Sequence, residues 1–270
     1  MKTPNLKLTD DQVAFFHRQG YLALPALTTP EEVANLCAVY DRMFETKAGR
    51  SEGNHLDLTT TDEDDQKEEG LPQILSPSRY APDLIDTLLR VNAAAIMQQL
   101  LGPDVDFRGD HAIRKPALTG AATPWHQDQA YALPDRDYNE VSIWVPLQEA
   151  TLENGCMHFV PGSHLQDIYP HHPIGNDPRI IGLEVDDPER WAKLGVACPL
   201  PPGGATLHHC KTMHYTGPNT LDGLRRAYIM SFGLPPTQRA VPHQFHWLEQ
   251  QKTKWQERAA TAAAATIQSQ

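Results

Sequence analysis

The chain has 270 residues, enough for one large domain with a core of its own. Its formal net charge of -11 leaves no basic footprint for a nucleic-acid backbone. No apolar run approaches the ~18 residues of a membrane helix, and Met1 to Asp11 lacks the apolar core of a secretory signal, so a cytoplasmic protein is expected.

In chain order, the first helix is predicted to start at the capping box Thr9-x-x-Gln12, to turn Val13 and Phe16 inward and to stop at Gly20. Tyr21 to Leu27 reads as a short strand. Thr29-Pro30-Glu31-Glu32 opens a second helix with an N-cap, a proline at the first position and a capping-box glutamate. Val33, Leu36, Cys37, Tyr40 and Phe44 then keep the spacing of a core-facing stripe. Residues 47 to 70 change character. Gly49, Ser51, Gly53 and Asn54 break structure, and Asp62, Glu63, Asp64, Asp65, Glu68 and Glu69 crowd together with only Lys67 between them. This reads as a solvated loop, with residues 50 to 70 placed to serve as a lid.

Helical pattern returns from Pro82 to Leu101 and ends at Gly102-Pro103. Short strands follow, over Val105 to Lys115, Pro124 to Tyr131, Glu140 to Leu147, Cys156 to Pro161, Ala205 to His209, Met213 to Thr216 and Arg225 to Phe232. Residues 166 to 200 show no clear period, so His171 and His172 are expected in a loop, and the alanine-rich tail from Trp255 is expected to be a weak helix or a fraying end. Cys37, Cys156, Cys198 and Cys210 are scattered and read as reduced thiols. Helices first and strands after imply an α+β fold with a sandwich or barrel rather than βαβ units. One domain over 1–270 is expected, with N-terminal helices in 1–104, the strand core in 105–233 and a tail in 234–270.

Chemistry concentrates in Thr123 to Tyr131, which carries His126-Gln127-Asp128. On a strand, His126 and Asp128 would share a face, about 7 Å apart. With a second histidine from a distant strand they would occupy one face of an octahedron and leave three positions open, which suits non-haem Fe(II). A rival pair, His55-Leu56-Asp57, lies in the broken polar stretch, where a ligand pair would hold metal poorly. His55 is therefore expected to touch substrate or solvent and not iron. Downstream, His214 and Thr216 share a strand face, and Arg225 and Arg226 follow. Taken singly, His214 reads as a satisfied core histidine, and the arginine pair as surface charge. His164 ends a Pro-Gly-Ser-His turn and reads as structural.

Taken together, Lys115-Pro116, Trp125-His126-Gln127-Asp128, Trp144-Val145-Pro146-Leu147, Glu153-Asn154-Gly155-Cys156, Pro161-Gly162-Ser163-His164 and His214 through Arg225 form an ordered series. From about Leu8 to Gly233 the chain resembles the phytanoyl-CoA dioxygenase family of Fe(II)/2-oxoglutarate-dependent oxygenases. The resemblance implies a double-stranded β-helix, a cupin-like jelly-roll barrel with flanking helices. It implies His126, Asp128 and His214 as iron ligands. It places Arg225, eleven residues after His214, on the far carboxylate of 2-oxoglutarate, with Thr216 adding a hydroxyl; strand period alone does not choose between Arg225 and Arg226. Gln127 and Trp144 fall at positions that line the cosubstrate pocket, and by looser alignment so do His111 and Gln73, for which a barrel-filling histidine and a polar helix-edge residue remain open readings.

The implied cofactors are Fe(II) and 2-oxoglutarate, and the implied partners are O2 and a small-molecule substrate. The implied reaction hydroxylates a C–H bond and releases succinate and carbon dioxide. Related halogenases need a small residue where Asp128 stands, so hydroxylation is expected over halogenation. Family substrates include acyl-CoA thioesters, amino-acid derivatives and natural-product scaffolds, and the acidic balance favours a small metabolite over CoA. Two other classes remain open: a jelly-roll binding module that turns over no cosubstrate, and a metal-dependent isomerase or hydrolase that would not need Arg225.

Overall fold

The computed structural model describes residues 2–61, 63, 69–118 and 121–268. In chain order the elements are α1 (Asp10–Gln19), β1 (Tyr21–Leu24), α2 (Pro30–Glu45), β2 (His55–Asp57), β3 (Pro72–Leu75), α3 (Leu88–Leu101), β4 (Asp106–Lys115) and β5 (Thr123–His126). Then come β6 (Arg136–Asp137), β7 (Glu140–Pro146), β8 (Met157–Phe159), β9 (His171–Pro173), β10 (Leu183–Val185), α4 (Pro188–Leu194) and β11 (Val196–Cys198). The chain closes with β12 (Ala205–His209), β13 (His214–Thr216), β14 (Arg225–Gly233), β15 (Thr237–Gln238), α5 (His246–Gln250) and α6 (Lys254–Gln268).

Local chemistry accounts for the helix ends. Thr9 and Gln12 form the reciprocal capping box of α1, and Gly20 closes it at φ 79°. Thr29 caps α2 with Pro30 at the first position. Glu32 does not complete the expected capping box. Its carboxylate reaches across to the start of α3, accepting from Leu88 N and Leu89 N at 2.8 Å each, and it also binds Lys2 Nζ at 2.6 Å. The helix expected from Pro82 instead makes a 3₁₀ turn over Pro82–Leu84 and restarts behind the N-cap Thr87, whose hydroxyl accepts from Arg90 N.

Two antiparallel sheets form the jelly roll, in the orders β1-β12-β7-β14-β4-β3-β2 and β11-β8-β13-β5. Strand alternation divides the larger sheet cleanly. Ala112, Ile143, Val145, Tyr228 and Met230 point outward and join Phe16, Leu36, Leu89 and Ile96 of α1–α3 in one buried apolar layer. His111, Ile113, Ser142, Trp144, Ile229 and Ser231, the alternate residues of the same strands, line a cavity between the sheets. The helices thus supply a hydrophobic backing that holds the inner face rigid.

Several expectations change. Strands β1, β2 and β3 all belong to the large sheet, so the sheet extends back into the first 104 residues. Residues 166–200 hold β9, β10, α4 and β11, and His171 lies buried on β9 rather than in a loop. The tail helix α6 packs over the turn after α2, where a Cβ on Gly53 would come within 2.9 Å of the Ala259 nitrogen. No helix among the described residues is long and apolar enough to cross a membrane.

Candidate metal centre

Strand β5 ends at His126, which stands directly opposite His214 at the start of β13. The strand expected to run on to Tyr131 stops there, and Asp128 begins a 3₁₀ turn over Asp128–Tyr131. The turn, not strand alternation, brings the carboxylate back beside the two imidazoles. Asp128 Oδ1 lies 3.7 Å from His126 Nε2 and 3.4 Å from His214 Nε2. One ligand atom from each of the three residues lies within 4.8 Å of the others, the spacing a single cation needs.

Backbone carbonyls select the tautomers. His126 Nδ1 donates to Pro124 O at 2.7 Å, and His214 Nδ1 donates to Thr212 O at 2.9 Å. Both Nε2 lone pairs therefore face the centre. Burial pushes both imidazoles below their usual range, so they are neutral and able to ligate at pH 7. Burial would raise the Asp128 carboxyl, but the imidazoles of His214, His208 and His126 hold it far below the carboxylate range. A ligand set of two neutral imidazoles and one carboxylate fits Fe(II).

Asp128 Oδ2 is occupied from the other side. Ser142 Oγ donates to it at 3.1 Å, and His208 Nε2 lies 3.3 Å away. His208 was not singled out from the sequence. Its parity within Ala205–His209 was the available signal: His208 and Thr206 share one face of β12, opposite Leu207 in the outer core.

The cavity around the centre encloses about 360 Å³. Arg225 lines it from β14 and is only 1% exposed, yet its Nε and Nη1 have no partner among the described residues. Burial lowers its pKa to about 10, so it stays charged. A buried guanidinium with unmet donors is a built carboxylate receptor. Trp144 lies beneath it, with the guanidinium carbon 5.4 Å from the ring centre, and Thr216 lines the same cavity, its hydroxyl bonded to Thr123. Lys115, opposite Arg225 on β4, is spent on the carbonyls of Ala121 and Gly217. Arg226 points the other way and grips Asp41 with two bonds of 2.6 and 2.8 Å.

Gln73 and His111 also line the cavity and bond to each other at 3.0 Å, the amide donating to Nδ1. Gln73 sits on β3, not at a helix edge. Gln127 does not line the cavity. Its amide donates to Lys211 O and accepts from Tyr169 N, while its backbone N–H donates to His171 Nε2, so it braces the loop behind the centre.

The rival pair is structural. His55 is fully buried on β2, 2.7 Å from Glu69 Oε1, and meets neither substrate space nor solvent as expected. Asp57 accepts from Thr59 N, Thr60 N and Gly70 N, closing the turn that follows. Leu56, between them, lines the cavity. Residues 55–57 are therefore sheet and not a solvated lid. Of the acidic run, Asp62, Asp64, Asp65, Lys67 and Glu68 lie outside the described residues. Trp255 of α6 also lines the cavity, a role that the tail's composition did not signal. His164 fills a structural place, its Nε2 donating to His17 O at 3.1 Å.

Comparison with known proteins agrees with this geometry. The family model described as phytanoyl-CoA dioxygenase matches residues 16–227. A Danio rerio protein named phytanoyl-CoA dioxygenase domain-containing protein 1 is 28% identical, with 92% of each chain covered. The crystal structure of EvdO2 from Micromonospora carbonacea var. aurantiaca complexed with 2-oxoglutarate is 36% identical, covering 92% of this chain and 99% of that one, at TM-score 0.75. The non-heme alpha ketoglutarate dependent carbocyclase SnoK from nogalamycin biosynthesis shares the fold at 22% identity and TM-score 0.68, covering 88% of this chain and 90% of its own.

Proposed function

The chain belongs to the phytanoyl-CoA dioxygenase family, and from that premise we propose that it is an Fe(II)/2-oxoglutarate-dependent dioxygenase that hydroxylates a C–H bond of a small metabolite, releasing succinate and carbon dioxide. The observation that carries this reading is Arg225, a buried cation with two nitrogens unpartnered among the described residues, in the cavity that holds His126, Asp128 and His214. A metal-dependent isomerase or hydrolase would not need such a receptor, and a binding module would turn over no cosubstrate. A 2-oxoglutarate-dependent enzyme needs one for the cosubstrate's far carboxylate.

His126, Asp128 and His214 would hold the metal. Bound Fe(II), with 2-oxoglutarate and O2, supplies the oxidising power for an unactivated C–H bond. The chain supplies geometry and dryness. Ser142 and His208 keep Asp128 Oδ2 engaged, which turns Oδ1 toward the two imidazoles. Arg225, Trp144 and Thr216 orient the cosubstrate at one end of the cavity. Leu56, Leu71, Leu183 and Trp255 exclude water from the remaining space. Asp128 fills the position that a halide would need, so hydroxylation is favoured over halogenation. Four free thiols suit the reducing cytoplasm as the place of action.

The test is incubation with Fe(II), 2-oxoglutarate and air in the presence of pooled small metabolites. Succinate release matched by a product that has gained one oxygen atom supports hydroxylation. Succinate release with loss of two hydrogens would replace it by desaturation or ring closure, and no succinate from any pool with metal bound would contradict the reading.

A further inference from the structure

Strand β7 orders the cavity like a ruler. Trp144, Ser142 and Glu140 are successive inward residues, each pair about 7 Å apart. Trp144 marks the Arg225 end. Ser142 marks the level of the metal centre, through its bond to Asp128. Glu140 stands one rung further, on the side away from Arg225. Its cross-strand partner on β14 is Gly233, so no side chain from that strand fills the rung.

The Glu140 carboxyl lines the cavity without accepting a hydrogen bond or joining an ion pair among the described residues. Burial and the nearby Asp128 carboxylate push its pKa up to about 7, against the opposing influence of Arg108. Glu140 is half-buried, so its carboxyl stays open to the cavity, where a donor on a bound molecule would meet it. Elsewhere the lining is largely apolar, through Leu56, Leu58, Leu71, Ile181, Leu183 and Trp255, while Cys210 stands beside the Glu140 rung, its N–H donating to Glu140 O. Arg225 is the one permanently cationic side chain among the described lining residues, and it lies at the opposite end.

We propose that Glu140 anchors a hydrogen-bond-donating group, a hydroxyl or an ammonium, on a compact and otherwise apolar substrate. The inference rests on the oxygenase reading above and deepens it: the oxidised carbon lies between the anchored group and the metal. Carboxylates, phosphates and their CoA-sized carriers are disfavoured, because an anion on this rung would face the Glu140 carboxyl at close range.

The experiment uses the full chain loaded with Zn(II), which cannot undergo the redox step, and with 2-oxoglutarate, whose uptake is first verified by calorimetry. Three probes of one skeleton are titrated by ligand-detected NMR: cyclohexylmethanol, cyclohexylmethylamine and cyclohexanecarboxylate. The alcohol or the amine should bind at least roughly tenfold more tightly than the carboxylate, the scale of one hydrogen bond to a charged group. Glu140→Leu should erase that preference, with 2-oxoglutarate affinity reporting that the loaded cavity is intact. Glu140→Gln separates the sources: it keeps binding of a hydroxyl but weakens an ammonium. Equal binding of the carboxylate, an unchanged preference in Glu140→Leu, or binding of none of the probes to the 2-oxoglutarate-loaded chain would overturn the assignment of Glu140 alone. Failure to take up 2-oxoglutarate at all would overturn the oxygenase reading and this inference with it.

Discussion

Asp128 is engaged at Oδ2 and turns Oδ1 toward the two imidazoles, and substitutions separate the two roles. His214→Ala removes a ligand whose tautomer is fixed by Thr212 O, so it should abolish metal uptake and turnover while circular dichroism shows an intact fold. His208→Phe keeps the ring but removes the group facing Oδ2; metal affinity should fall by about 10–100-fold, as for loss of an outer partner of a ligand, with His208→Gln recovering part of it. Unchanged Co(II) affinity in His208→Phe would show that Ser142 alone orients the carboxylate. At the other end of the cavity, Arg225→Ala should weaken 2-oxoglutarate by about 2–5 kcal/mol, the range for a buried charged partner, and leave metal binding intact. Arg226→Ala should leave 2-oxoglutarate untouched and lower the melting temperature through loss of the Asp41 pair; the reverse pattern would mean that the wrong arginine faces the cosubstrate. The His126–Asp128 pair and His214 were legible because short spacings and an ordered series mark them. His208 belongs to no spacing pattern, and Gln127 misled because its neighbours are ligands while its own amide is consumed by Lys211 and Tyr169.

Elements are joined here by buried polar groups that no local pattern reveals. Glu32 begins as a helix-start residue of α2 and ends as the anion at the start of α3, where the helix dipole and two free N–H groups favour it. Burial opposes its ionisation, but Lys2, Thr28 and the two backbone donors outweigh burial and depress its pKa. A depressed carboxyl contributes stability that is present above its unfolded value and is lost as pH falls. Wild-type stability should therefore drop as pH falls below the ordinary value of 4.5, and Glu32→Gln should show a flatter acid limb with a loss of about 1–3 kcal/mol at neutral pH. Parallel acid limbs in urea unfolding would contradict the role. Strands β2 and β3 were missed for a related reason. They are three and four residues long, too short to show a period, and register with β4 holds them in the sheet. Helix α6 was expected from its alanines as a weak helix or a fraying end; it is a helix, and Trp255 gives it a foothold on the cavity.

At the scale of the molecule, the α+β division was legible because β4, β7, β12 and β14 are long enough to show as strands, while α1 and α2 open at the caps Thr9 and Thr29. What stayed hidden is that two distant edges of one sheet are completed by early residues. β1 pairs with β12, and β3 pairs with β4, so the apolar layer under α1–α3 and the cavity above it are built together. Such pairings join residues far apart in sequence and leave no local trace. The architecture sets an order along the cavity, with Arg225 at one end and the metal centre in the middle, and the central claim is that these two act on one cosubstrate. The most direct measurement is an anaerobic titration of the Fe(II)-loaded chain with 2-oxoglutarate, followed in the visible spectrum. The expected result is a weak charge-transfer band that saturates at one equivalent in the wild type, requires much more 2-oxoglutarate in Arg225→Ala and is absent in His214→Ala. Fe(II) binding without any such band, or a band of unchanged affinity in Arg225→Ala, would contradict it.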